Sequence, residues 1–245
     1  MHTDRARAEA LLGALRVALD GVAGGGLEVV IFPPAPWLPL AADAFAGSAL
    51  QVGVQNVFFE REGAFTGEVS AALVRGTATW ALVGHSERRH RFGESDGDTT
   101  AKLRAVLDEG LRPVLAVGEL REEREAGRTR AVLERQLLAA FDGLAALPPG
   151  FVVAYEPVWA IGTGLAATPE MAEEACAIVR GVVRARFDAT TAEACRVQYG
   201  GSVNAGNIAG FAGRPGVDGA LVGGASLDAE AFAGICRAVA AERAA

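Results

Sequence analysis

Two hydrophobic rhythms alternate along the chain: short apolar runs that read as buried strands, and stretches with apolar residues three and four apart that read as helices. Leu11, Leu12, Leu15, Ala18, Leu19 and Val22 share one face of a first helix, which Thr3 or Asp4 can cap and Gly24-Gly25-Gly26 ends. Strand signals follow at Glu28–Phe32 (closed by Pro33-Pro34), Leu50–Gln55, Trp80–Gly84, Pro113–Val117, Phe151–Tyr155, Arg196–Tyr199 and Gly219–Val222. Between them helices are predicted over Leu38–Phe45, over Asp98–Gly110 with Leu103, Val106 and Leu107 inward, and through Val132, Leu133 and Leu137. Thr168-Pro169-Glu170 supplies an N-cap, a first-turn proline and an acidic residue, so another helix starts there. Phe232, Ile235, Cys236 and Val239 mark the inner face of the last. Strands alternating with helices imply parallel strands with right-handed crossovers, and this many units favours a closed barrel over an open sheet. The strand signals number seven, and the chain opens on a helix where a (β/α) barrel opens on a strand.

Composition narrows this to one domain. The 245 residues, 1–245, suit one large α/β barrel and carry no Pro/Ser linker or low-complexity block. A net charge of −7 argues against non-specific nucleic-acid binding and against an anionic membrane surface, so an anionic substrate would have to be held by local dipoles. Cys176, Cys195 and Cys236 lack metal-ligand or redox spacing and read as reduced core residues of a cytoplasmic protein. No signal peptide and no run of about 18 apolar residues stands in the sequence. The charged stretch Arg121 to Arg130 reads as a solvated face, and Phe58 to Gly67 as a protruding loop with exposed aromatics, a kind of loop that usually has a partner.

The candidate chemistry centres on Ala154-Tyr155-Glu156-Pro157-Val158-Trp159-Ala160-Ile161-Gly162-Thr163-Gly164. Glu156 falls at the carboxyl end of a strand, where α/β enzymes place catalytic groups, and is a candidate base. The apolar segment after it, flanked by Pro157 and by Gly162 and Gly164, has the composition of a hinged lid that excludes water. His85 ends another strand and is followed by Ser86-Glu87-Arg88-Arg89; pairing it with His90 makes a poor metal site, because no further ligands stand at suitable spacing. Gly200-Gly201-Ser202 and Gly223-Gly224 end the last two strands, where glycine lets backbone N–H groups approach a phosphate. A Schiff-base aldolase on the same barrel would need a lysine at a strand end, and the only lysine, Lys102, is placed on an outer helix.

The stretch from Ala154 to Gly164 resembles the signature of triosephosphate isomerase, and Val83-Gly84-His85-Ser86-Glu87-Arg88-Arg89 resembles the same family. The resemblance covers essentially the whole chain from Met1. It implies an α/β fold, the (β/α)8 TIM barrel, whose first β-strand is not among the residues given. It implies interconversion of dihydroxyacetone phosphate and D-glyceraldehyde 3-phosphate through an enediolate, in glycolysis and gluconeogenesis, with no cofactor and no metal. This family is itself the standard worked case of a Glu base paired with a neutral His electrophile, so those roles come to Glu156 and His85 with the resemblance. By the same resemblance Gly162, Ser202, Gly223 and Gly224 bind the substrate phosphate, and Glu87 is a supporting or interface residue. The segment Gly63-Ala64-Phe65-Thr66-Gly67 resembles the loop with which family members enter a partner's pocket, which implies a homodimer. The family also carries Asn-x-Lys at the end of its first strand; here nothing precedes Met1-His2-Thr3, and the expectation is that about a dozen residues stand before Met1 in the active protein. The alternative is a non-catalytic phosphate-binding barrel derived from the isomerase.

Overall fold

A computed structural model describes residues 2–161 and 167–244. The chain opens on α1 (Arg5–Ala18), followed by β1 (Val29–Ile31), α2 (Leu38–Phe45), β2 (Leu50–Val54), α3 (Ala71–Val74) and β3 (Trp80–Val83). Next come α4 (Ser86–Arg91), α5 (Asp96–Asp108), β4 (Arg112–Val117), α6 (Arg121–Glu125), α7 (Thr129–Ala140) and β5 (Val152–Tyr155). The last third holds α8 (Pro169–Arg186), α9 (Ala189–Ala194), β6 (Arg196–Tyr199), α10 (Ile208–Ala212), β7 (Gly219–Ala220) and α11 (Ala229–Ala244), with short 3-10 turns at Ala35–Trp37, Val158–Ala160 and Gly224–Leu227.

Every strand pairs in parallel with its neighbour in the chain, in the order β1-β2-β3-β4-β5-β6-β7. Alternation along each strand sorts side chains to two faces. Trp80, Leu82, Val114, Ala116, Val152 and Ala154 form the inner cluster, with Val30, Phe32 and Leu221 against it. Ala81, Val83, Leu115, Val117, Val153, Tyr155, Val197 and Tyr199 belong to the larger cluster shared with the helices. The sheet curls, because Glu28, just ahead of β1, reaches Arg112 on β4 and Arg196 on β6. This is the sheet of a (β/α) barrel; among the described residues β1 and β7 end the ladder and do not pair with each other.

All seven strand signals correspond to strands, most of them trimmed by a residue or two at the ends. The helix signals hold as well: Asp4 caps α1, Ser95 and Asp98 form a capping box on α5, and Thr168 caps α8. The charged stretch folds as two helices, and its Arg124 departs from the solvated-face reading by turning in over the Trp159 ring. In the Phe58–Gly67 loop the rings stack on one another, Phe58 on Phe59 at 4.3 Å and against Phe65 at 4.8 Å, so that Phe58 and Phe59 are partly buried and Phe65, the most exposed of the three, is 42% exposed. The three cysteines are buried, and burial pushes the thiols up to about 12 for Cys176 and Cys236 and about 11 for Cys195. Among the described residues no helix is long and apolar enough to cross a membrane.

Candidate active site

Glu156 continues the inward series of β5, two residues beyond Ala154, so its side chain points toward the barrel axis. Its N–H donates to the Val117 carbonyl at 2.8 Å, which prolongs the β4–β5 pairing past the strand end. The residue is only 2% exposed. Glycines flank it closely: a Cβ on Gly118 would lie 1.7 Å from the Glu156 carbonyl oxygen, and one on Gly200 would lie 2.9 Å from its Cγ. The base candidate thus stands between two backbones that admit no side chain. A Cβ on Gly201 would meet the Tyr199 hydroxyl at 2.1 Å, so the Gly200-Gly201 pair is required by the protein's own packing, whatever an anion demands.

His85 follows Gly84, whose φ of 74° turns the chain out of β3 and into α4. As N-cap of α4, His85 accepts through Nδ1 from the Glu87 N–H at 3.3 Å. When the ring is neutral, its proton is therefore on Nε2. That Nε2 lies 3.0 Å from Glu156 Oε1. Ser86 completes the contact, its N–H donating to Glu156 Oε2 at 2.9 Å and its hydroxyl to Oε1 at 3.4 Å. Burial lowers the imidazole pKa, but the hydrogen bond and charge of Glu156, with Glu87 and Glu94 behind them, more than offset this and hold it above the ordinary 6.5.

The remaining predicted site residues sit on neighbouring strand ends. Ser202, after β6, donates to the Ala160 carbonyl at 2.8 Å and so ties that loop to the start of the lid segment. Gly223 and Gly224 are exposed at the 3-10 turn after β7, and a Cβ on either would meet nothing within 4 Å. Gly162 lies outside the described residues. The first part of the lid segment is anchored: Ala160 is buried, Val158 N–H donates to the Glu119 carbonyl at 3.2 Å, and Trp159 Nε1 donates to Glu119 Oε1 at 3.0 Å. The same Oε1 takes the Tyr155 hydroxyl at 3.0 Å. Lys102 does lie on an outer helix, but its ammonium is buried against Glu94 and Asn56.

Sequence reasoning missed Ser86, Glu119, Gly118 and Gln136. Ser86 and Glu119 each had a signal, since both stand just past a strand end, as Glu156 does. Gln136 had none: it lies in the middle of α7 and reads as an ordinary polar position.

A carboxylate and an imidazole meeting at strand carboxyl ends place the chain among the α/β-barrel enzymes. A family profile described as "Triosephosphate isomerase" matches residues 1–239. Curated proteins of that name are 49% identical over 221 residues in Symbiobacterium thermophilum (89% of this chain, 86% of the relative). Another, in Thiobacillus denitrificans, is 48% identical over 243 residues (98% and 95%), and one in Pseudomonas putida is 46% identical over 243 residues (97% and 94%). The chain belongs to the triosephosphate isomerase family.

Proposed function

We propose that the protein interconverts dihydroxyacetone phosphate and D-glyceraldehyde 3-phosphate through an enediolate, with no cofactor. The observation that carries this reading is the 3.0 Å meeting of the buried Glu156 carboxylate with Nε2 of His85 in a chain of this family. Glu156 takes a proton from one carbon and returns it to the next. His85 directs its Nε2–H at the carbonyl oxygen and moves protons between the two oxygens of the enediolate. No substrate atom fits between groups 3.0 Å apart, so substrate must part them on entering. Ser86 then loses its hold on the carboxylate as well.

The phosphate is held by Ser202, Gly223 and Gly224, together with Gly162. The open space over Gly223 and Gly224 supports this, since an anion can approach their backbone closely. The lid keeps water from the enediolate, which would otherwise lose its phosphate. The protein works as a cytoplasmic homodimer of one-domain chains, the 63–67 loop with its exposed Phe65 entering the partner, and it binds neither nucleic acid nor membrane.

A coupled isomerase assay beside a phosphate-ligand binding measurement tests the reading. Turnover is expected, and Glu156→Gln should lower kcat by about 10²–10⁴ while KM changes little, because the base acts in the transition state. Ligand binding without turnover would overturn it in favour of a non-catalytic phosphate-binding barrel.

A further inference from the structure

We infer that Gln136 is a positioning residue for Glu156, acting through the main chain of Gly118; this rests on the reading of Glu156 as the base. Past the ends of β4 and β5 the two chains keep pairing, through Glu156 N–H to the Val117 carbonyl at 2.8 Å and Val158 N–H to the Glu119 carbonyl at 3.2 Å. Along a strand, successive residues turn their N–H and C=O to opposite neighbours. Gly118, lying between Val117 and Glu119, therefore presents its groups to the β3 side. There β3 has already ended at Val83, and Gly84 has led the chain away into α4. Two buried backbone groups are left in need of partners.

Gln136, buried on α7, supplies both. Its Oε1 accepts from Gly118 N–H at 2.8 Å, and its Nε2 donates to the Gly118 carbonyl at 3.1 Å. A primary amide presents a paired donor and acceptor, as a continuing strand would. Gly118 in turn has no slack against the base: a Cβ built on it would stand 1.7, 2.7 and 3.3 Å from the carbonyl oxygen, carbonyl carbon and Cα of Glu156. A displacement of Gly118 is thus passed to the Cα from which the carboxylate reaches His85. Gln136 fixes where the base starts its stroke without touching the reacting atoms.

Satisfying a buried backbone is also an ordinary stabilising role, so the test needs a readout that stability does not move. Gln136→Met keeps the length and volume of the side chain and removes both hydrogen bonds; Gln136→Glu keeps an acceptor for the Gly118 N–H. Below the melting temperature, Gln136→Met should lower kcat about 10- to 100-fold with KM nearly unchanged, the scale expected of a misplaced catalytic group. With substrate deuterated at the carbon that loses its proton, the isotope effect on kcat should exceed that of the unmodified protein, because proton abstraction has become slower. Partial unfolding cannot produce that change, since it lowers the amount of enzyme and leaves the ratio alone. If Gln136→Met does not fold, the same two readings on Gln136→Glu decide. A lower melting temperature with kcat per folded molecule and isotope effect both unchanged would overturn the inference. Glu156→Gln in the same assay separates the two levels. If it retains turnover, the base reading fails; if it is inactive while the Gln136 variants match the unmodified protein, only the positioning inference fails.

Discussion

His85 is held by two opposite demands. Through Nδ1 it accepts a backbone N–H, which favours the neutral ring, and through Nε2 it meets the Glu156 carboxylate, which favours the charged one. The carboxylate prevails, and the imidazole pKa is raised above its ordinary value of 6.5. A group whose folded pKa is raised contributes stability that is fully present below its unfolded value and is lost as pH rises through the folded value. His85→Gln can still donate to Glu156 but does not titrate. The unmodified protein should therefore exceed His85→Gln in Tm by more at about pH 6 than at about pH 8.5. Thermal melts across that range check this, and a gap that stays constant or widens with pH would show that the ion pair adds nothing in solution. Catalysis needs the opposite balance, with the ring neutral and the contact open, so substrate has to undo the 3.0 Å contact between His85 and Glu156.

At the scale of elements, what the sequence revealed depended on the length over which a pattern repeats. The strands were legible because they are buried on both faces, Trp80 and Leu82 in one cluster and Ala81 and Val83 in the other, so that most of them stand out as continuous apolar runs. His85 and Glu156 were legible because strand ends mark catalytic positions. Helices α3, α4, α6, α9 and α10 went unread, since four to six residues make too little helical periodicity to recognise. Gln136 was hidden for another reason: its partner lies 18 residues away, and only the packing of α7 on the β4 end brings them together. The segment expected to form a lid starts from a seated 3-10 turn over Val158–Ala160, with Ala160 buried. Its anchors therefore make better targets than its length. Ser202→Ala removes the bond to the Ala160 carbonyl, and the share of substrate lost as inorganic phosphate, relative to isomerisation, should rise severalfold. Weakened phosphate binding alone would lower both products together. An unchanged ratio would mean that this tie does not govern closure.

Across the whole molecule, the sheet is braced at the end opposite the site. Glu28 accepts from Gln51 Nε2 on β2 at 2.6 Å, from Arg112 Nη1 on β4 at 2.8 Å and from Arg196 Nη1 on β6 at 2.6 Å. Trp80 of β3 donates to Gln51 at 2.7 Å, and both guanidinium groups lie over its ring, at 5.0 and 5.6 Å. Backbone pairing connects β1 to β2 alone among the described residues, so this cluster is an independent link from β1 to β4 and β6. One carboxylate faces two guanidinium groups, and its loss would leave two like charges over one ring. Burial raises the Glu28 pKa, but the hydrogen bonds from Arg196 and Gln51 and the charges of Arg196 and Arg112 outweigh it, and the carboxyl is held below its ordinary value. A depressed carboxylate contributes stability that is present above its unfolded value and is lost as pH falls through the folded one. Glu28→Gln should accordingly be less stable at neutral pH by about 1–2 kcal/mol, the range between an exposed and a buried pair, seen as a drop of a few degrees in Tm. The difference should shrink as both proteins are taken from pH 7 to about 3.5, because the contribution of a depressed carboxylate declines once the pH falls below its unfolded value, while every other acid titrates equally in the two. Denaturant melts at each pH measure this difference directly. If it is the same at both ends, the brace is held by packing around Trp80 and the charge of Glu28 is incidental to it.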